Sequence, residues 1–442
     1  MSIKKSLITA LLLLTATAAF AQDSLHLSLQ DAIRTGVDSS KKILLAQAKV
    51  QEALNQYAQA KDQQLPDIKA SLMASQAFIL TRTLQIKDLM KEPLHLPATS
   101  TMYIGTFGIN EAIFAGHKMQ YAKQAARLMQ QVADLEKTHD TQGVILSVVQ
   151  AYINLYKIDQ NSKIIQKSIH DIEGRLQETQ QFKAQGLATA NDVLRFQLQK
   201  AQARLSLIDL QNNRAVANYA LVTLLGLPEN TLLQVDSVGQ QVSDIPPLKH
   251  FTDQALSTRK DLQVYGVQKK ITQTQIKSIK ADKLPVLGAG INTYYVNPNS
   301  QFIPPKHGFL VPATVGLNLS WHISELYTSK NKVSAARIKA GELDVARQAT
   351  ADEIRIDVNK NYHAYLQALQ RIKVLQTAVE QARENDRIME LKYQNQLATT
   401  TDRIDAQTLL YKSLVNLGLA RAEAAQNWYQ LLAATGTLNT IF

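Results

Sequence analysis

Gly186-Leu187-Ala188-Thr189-Ala190-Asn191-Asp192-Val193-Leu194 and, 210 residues later, Gln396-Leu397-Ala398-Thr399-Thr400-Thr401-Asp402-Arg403-Ile404 are two versions of one stretch. Each lies between long segments whose apolar residues recur at helical spacing. Each therefore reads as the tight turn of a helical hairpin, with Asn191-Asp192 or Thr401-Asp402 supplying N-cap chemistry for the returning helix. The likeness continues outward: Asn218-Tyr219-Ala220-Leu221 returns as Trp428-Tyr429-Gln430-Leu431, and Leu224-Leu225-Gly226 as Ala434-Thr435-Gly436. Upstream the offset drifts, as insertions in loops make it do, so that Leu65-Pro66 matches Leu284-Pro285, Gly108-Ile109-Asn110 matches Gly316-Leu317-Asn318, and Ala151-Tyr152 matches Ala364-Tyr365. The mature chain is two copies of one unit, 22–228 and 251–442, joined by a linker over 229–250 that carries Pro246-Pro247.

Each copy reads as helix, strand, strand, long helix, helix. In the first, a helical pattern runs from Leu27 to about Gln64, with Ser28 as its cap, and Pro66 stops it. The period then changes to two. Ile68, Ala70, Leu72 and Ala74 alternate with Asp67, Lys69, Ser71 and Met73; after a loop over Thr81 to Met102, Tyr103, Gly105, Phe107 and Ile109 alternate with Ile104, Thr106, Gly108 and Asn110. From Gly116 to near Phe182 the helical pattern implies a rod on the order of 100 Å long, more than one globular core can bury. The return helix from about Asp192 to Leu225 ends at Gly226 and Pro228, a C-cap followed by a stop. The second copy repeats the order: helix around Asp253 to Lys283, strand Val286 to Val296, loop Asn297 to Phe309, strand Leu310 to His322, long helix from Ser324 to about Lys392, and return helix Asp402 to Ala433.

Lys4 and Lys5, an apolar run from Leu7 to Leu14 and Ala19-Phe20-Ala21 have the order of a secretory leader over 1–21, which places the mature chain outside the cytoplasm. There is no cysteine, which excludes disulfides and thiolate metal sites. The formal charge of +11 is spread along helices without a basic block, the pattern of a solvated surface and not of a nucleic-acid footprint. Beyond the leader no apolar stretch approaches the roughly 20 residues of a membrane helix, so a membrane passage must use strands. Their apolar and polar alternation suits a barrel wall with a wet lumen, and a half-buried soluble sheet as well. Four strands cannot close a barrel, so the membrane reading requires several chains to share one.

Catalytic and cofactor chemistry has little support. The nine histidines include no i, i+4 pair, no glycine loop cradles phosphate, and acidic pairs such as Asp352-Glu353 lie within helical patterns as ordinary surface charge. The expectation is a non-enzyme without metal or cofactor. The helices alone also allow a periplasmic coiled-coil structural or adaptor protein without a membrane barrel; the two pairs of alternating strands speak against it.

Leu29-Gln30-Asp31-Ala32-Ile33, Leu65-Pro66 before a strand, the first tip, Leu224-Leu225-Gly226 and Arg259-Lys260-Asp261-Leu262 occur here in the order found in the TolC-type outer-membrane efflux proteins, which the chain resembles over nearly its whole mature length. The resemblance implies a mainly α protomer with membrane β-strands, three copies of which form one twelve-stranded β-barrel and a long periplasmic α-helical barrel. It implies a passive export duct in the outer membrane, surrounded by lipid, that meets a periplasmic adaptor (membrane fusion) protein and an inner-membrane pump of RND or ABC type. By the same resemblance Asp402 and Asp405 match paired aspartates around the periplasmic aperture, and Tyr393 and Asp192 look like a tyrosine and an aspartate that latch it. Gly186, Leu187, Thr189, Leu397 and Thr399, at the tips, are the expected adaptor contacts. The sequence departs from the family pattern at Ala398, where the latch arginine would stand, at Gln396 in place of the tip glycine, and at Arg195 and Arg403, which bring positive charge toward the acidic ring.

Overall fold

The computed structural model describes residues 24–78, 80, 83–84, 94–95, 99–238, 245–297 and 311–440. The expected leader, much of the Thr81 to Met102 loop and nearly all of the Asn297 to Phe309 loop lie outside the described residues. In chain order the elements are β1 (Ser24–Leu27), α1 (Leu29–Ser39), α2 (Lys41–Asp62), β2 (Asp67–Phe78), the short β3 (Thr83–Leu84) and β4 (Leu94–His95), β5 (Thr99–Phe114), α3 (Lys118–Ala184), α4 (Ala190–Leu225), β6 (Leu232–Val235), α5 (Leu248–Thr258), α6 (Lys260–Ala281), β7 (Val286–Asn297), β8 (Ala313–Ser320), α7 (Glu325–Gln394), α8 (Thr400–Ala434) and a 3-10 turn, Leu438–Thr440. They form two compact units, 1–47 with 135–262 and 348–442, and 48–134 with 263–347. Each unit draws matching pieces from both sequence copies.

The second unit holds an antiparallel sheet in the order β2-β5-β7-β8, whose middle pair takes one strand from each copy. Its register aligns Ile68 with Ile109, Ile109 with Ile291 and Ile291 with Val315, and the expected apolar face runs unbroken across all four strands. On that face Leu72, Val315 and Leu317 are 75%, 80% and 72% exposed, so none of the described residues covers it. The opposite face aligns Asp67 with Asn110, Asn110 with Gly290 and Gly290 with Gly316. β2, β5 and β7 contain 12, 16 and 12 residues, enough to cross a bilayer that takes roughly 9 to 11. β8 is shorter than the run read from Leu310 to His322; just past its end the Trp321 indole donates to the Lys283 carbonyl oxygen at 3.0 Å.

Gly108-Ile109-Asn110 and Gly290-Ile291-Asn292 face each other in opposite directions at the centre of the β5–β7 pair. Asn110 and Asn292 donate to each other's side-chain oxygens at 3.4 and 3.3 Å, each amide lying over the other strand's glycine. A Cβ on Gly290 would stand 2.3 Å from Asn110 Oδ1, and one on Gly108 2.3 Å from Asn292 Oδ1. The glycines are what lets the amide pair close.

The first unit is helical. Its largest core packs Ala32 and Ile33 of α1, Val148, Val149 and Ile153 of α3, and Leu221, Val222 and Leu225 of α4. The sequence reading did not anticipate that β1 pairs in parallel with β6, inside the stretch read as linker. Tyr152 ties this pair to α3: its hydroxyl donates to Leu27 O at 2.9 Å and accepts from Asp236 N at 2.8 Å, and burial pushes its pKa up to about 12. The two entry helices read as single are each broken, at Ser40 and at Arg259. At the second break the Arg259 guanidinium grips Asp261 at 2.6 Å and donates to the Ala434 carbonyl at 3.2 Å, a helix C-terminus that favours a cation. Ser28 caps α1 and Gly226, at φ 65°, closes α4, as the sequence indicated.

The amide pair yields a test. Gly290→Ala forces Cβ onto Asn110 Oδ1, and overpacking of this kind costs roughly 1 to 3 kcal/mol. The variant is expected to lower the midpoint of heat unfolding of the detergent-purified protein, and adding Asn110→Ala, which removes the opposing oxygen, to restore most of the loss. Equal loss in the single and double variants would disconnect the glycine from the amide.

Candidate functional site at the hairpin tips

Both tips are built alike. Leu187 N–H donates to Phe182 O at 2.8 Å and Gly186 N–H to Lys183 O at 3.0 Å; Leu397 and Gln396 repeat this to Lys392 O at 2.7 Å and Tyr393 O at 3.0 Å. These are helix ends closed through a left-handed residue, Gly186 at φ 78° and Gln396 at φ 59°. Gln396 holds a conformation that costs an L-residue about 1 to 2 kcal/mol, which its glycine counterpart avoids.

The caps of the return helices fall earlier than Asn191-Asp192 and Thr401-Asp402. The N-cap residues are Thr189 and Thr399, and Asp192 and Asp402 sit at N3 of capping boxes. Each threonine hydroxyl accepts from the aspartate N–H, and the aspartate carboxylate accepts from the threonine backbone N–H, at 2.8 Å in the first tip and 2.9 Å in the second. Burial works to raise the Asp192 pKa, but hydrogen bonds from Thr189 and Thr400 and the charge of Arg195 outweigh it and hold the carboxyl below the usual range. Hydrogen bonds from the Thr399 hydroxyl and N–H do the same for Asp402. Asp405 is exposed and accepts no hydrogen bond among the described residues. Leu187 and Leu397 are 52% and 78% exposed at the two extremities.

Two of the residues singled out in the sequence make buried contacts. Tyr393 is buried beside Ile172 and Phe196, and its hydroxyl pairs with Thr179 Oγ1 at 3.1 Å; among the described residues no hydrogen bond joins it to Asp192. Arg403 is turned into its own hairpin. It is 2% exposed and points inward, Nε to Glu390 at 2.7 Å and Nη1 to Asp386 at 2.6 Å, while Glu390 also takes Arg175 at 2.6 Å. Arg175 binds Glu178 in turn, at 2.9 Å, and one level higher Tyr411 donates its hydroxyl to the Asp171 carboxylate. Burial, followed by that carboxylate, pushes the Tyr411 pKa upward. Removing one member of a buried ion pair typically costs about 3 to 5 kcal/mol, because the partner is left charged and unpaired. Among the described residues no group of three or more His, Asp or Glu is arranged to hold a metal, and no helix is long and apolar enough to cross a membrane.

The family model described as outer membrane efflux protein matches residues 34–227 and 251–437. The chain belongs to that family. Solved channels share the fold of this efflux protein at low identity: VceC from Vibrio cholerae (16% identity, 92% of this chain and 96% of that one, TM-score 0.72), CmeC from Campylobacter jejuni (14%, 93% and 86%, 0.75) and MtrE from Neisseria gonorrhoeae, in an open state (17%, 93% and 89%, 0.70). No curated protein sequence matches it. The efflux protein is thus an outer-membrane channel with a large periplasmic helical portion, of a family whose trimers work with adaptors and inner-membrane pumps and are channels, not enzymes.

The capping boxes imply a pH window. Both aspartates are held below their ordinary value of 3.8, so the stabilisation they give is fully present above about pH 3.8 and is lost as the pH falls through the lower folded-state values. Hydrogen-exchange protection of the tip amides, corrected for intrinsic rate, is expected to stay constant from neutral pH down to about 4 and to fall below it. Asp402→Asn should remove that dependence from the second tip only.

Proposed function

We propose that three copies place Asp402 and Asp405 around the channel axis at its periplasmic end, forming an acidic aperture that admits cations and disfavours anions. The observation that carries this reading is Asp405, which is exposed, lies one turn beyond the capping box and makes no hydrogen bond or ion pair among the described residues. Asp402 shares the ring but also serves its helix. Asp192 contributes through its link to Thr400, whereas Tyr393 would have to trade its bond to Thr179 for any latch to an aspartate. The burial of Arg403 favours an acidic ring, since its charge is consumed by Asp386 and Glu390.

The tips, Gly186, Leu187 and Thr189 in one and Leu397 and Thr399 in the other, are the docking ends for a periplasmic adaptor that leads to a pump of RND or ABC type. Exposed leucines on turns already closed by their own hydrogen bonds are available for an apolar socket.

Each half has its experiment. Asp405→Asn, alone or with Asp402→Asn, is expected to lower cation selectivity and block by multivalent cations in planar bilayers while the yield of assembled channel stays constant; unchanged selectivity and block in the double variant would return both residues to ordinary surface carboxylates. For docking, Leu187→Ser with Leu397→Ser should abolish export in cells without loss of assembled channel, and full export would count against contact at the tips.

A further inference from the structure

Where β5 gives way to α3, a hollow of about 500 Å³ is lined by Tyr57, Gln64, Gln120, Lys123, Gln124 and Arg127. Two cations, a phenol and three carboxamides surround it, and among the described residues no carboxylate does. Lys123 and Arg127 are four residues apart and so share one face of α3. Neither makes an ion pair or hydrogen bond among the described residues, whereas Lys118 is taken by Asp282 at 2.6 Å and Lys332 by Glu325 at 2.8 Å. Helical side chains lean toward the N-terminus of their helix, which for α3 is the end joined to β5. Lys123 and Arg127 start about 8 and 14 Å past that end, and their long stems carry the charges back toward the strands.

A second hollow shares Gln64 and Gln120 with the first and adds Ile113, Phe114 and His117. Ile113 and Phe114 are exposed, and the Phe114 ring meets the His117 ring edge-on at 6.1 Å. Phe114 is in register with Leu287, and Leu287 with Leu319, so it ends the bare apolar face of the sheet. The two hollows form one groove, apolar at the strand end and cationic along the helix. Its apolar end alone would accept any acyl chain, and its cations alone any anion. Together they select a molecule that carries both.

We propose that this groove binds an anionic glycerophospholipid of the periplasmic leaflet, its phosphate held by Lys123 and Arg127 and its acyl chain laid on Ile113 and Phe114. A zwitterionic lipid brings an ammonium beside the same phosphate, and the two cations repel it. A glycerol headgroup brings hydroxyls instead, which Tyr57 and the carboxamides can bond.

The test offers the full-length channel in detergent equal amounts of phosphatidylglycerol and phosphatidylethanolamine with the same acyl chains, and reads the retained lipid by native mass spectrometry. The wild-type channel is expected to keep several-fold more phosphatidylglycerol. Lys123→Gln with Arg127→Gln should abolish the preference. Lys330→Gln with Arg337→Gln, which removes the same charge from exposed positions of α7, should leave it intact. Equal retention of both lipids by the wild type, as a groove opening on the lumen would give, overturns the proposal. So does loss of the preference in the α7 variant, the mark of diffuse attraction, or its survival in the α3 variant. Displacement of the lipid by inorganic phosphate but not by chloride at equal ionic strength would make this a free-anion site, and also overturns it. The variants are compared at equal yield of assembled channel, and the wild-type ratio and the phosphate competition stand without them.

Discussion

A backbone N–H without a partner cannot be left in hydrocarbon, and among the described residues this sheet has two open edges. β2 and β8 each pair on one side only, while the face carrying Leu72, Val315 and Leu317 is bare. A single copy is therefore an unfinished wall. Closure by further copies satisfies the edges.

Within the sheet, polarity is sorted largely by parity. One face carries most of the aliphatic residues with Tyr103, Phe107 and Tyr295, the other most of the serine, threonine, asparagine and glycine, and the Asp67–Lys69 pair at 2.7 Å and Glu111, opposite Ala289, add charge. The amide pair of Asn110 and Asn292 satisfies its own polar groups across two glycines and so rigidifies the junction of the two sequence copies. At the tips the opposite economy holds. Backbone groups are closed by the turns and the capping boxes, which frees Leu187, Leu397 and Asp405 from structural duty.

What the sequence made legible were features with a local period or a local rule: the alternation that places Leu317 opposite Ala289, the tip turns, Ser28 and Gly226 as caps. Thr189 and Thr399 were missed as caps because threonine and aspartate three residues apart both carry capping chemistry, and only geometry says which leads. The breaks at Ser40 and Arg259 keep the apolar period on both sides, so periodicity runs straight through them. β1 and β6 are joined across some two hundred residues, and Arg403 binds α7 across a turn and, through Glu390, a helix of the other copy; no window along the chain contains such pairs.

Duplication has a consequence at the level of charge. Arg195 stands in the first tip where Asp405 stands in the second, and Val193, buried, where Arg403 is buried. Six identical hairpins in a circle would show the same group at every station. Three duplicated chains can instead present two different side chains at alternate stations. The gene fusion halves the symmetry, and with it lifts the requirement that neighbouring hairpins do the same thing.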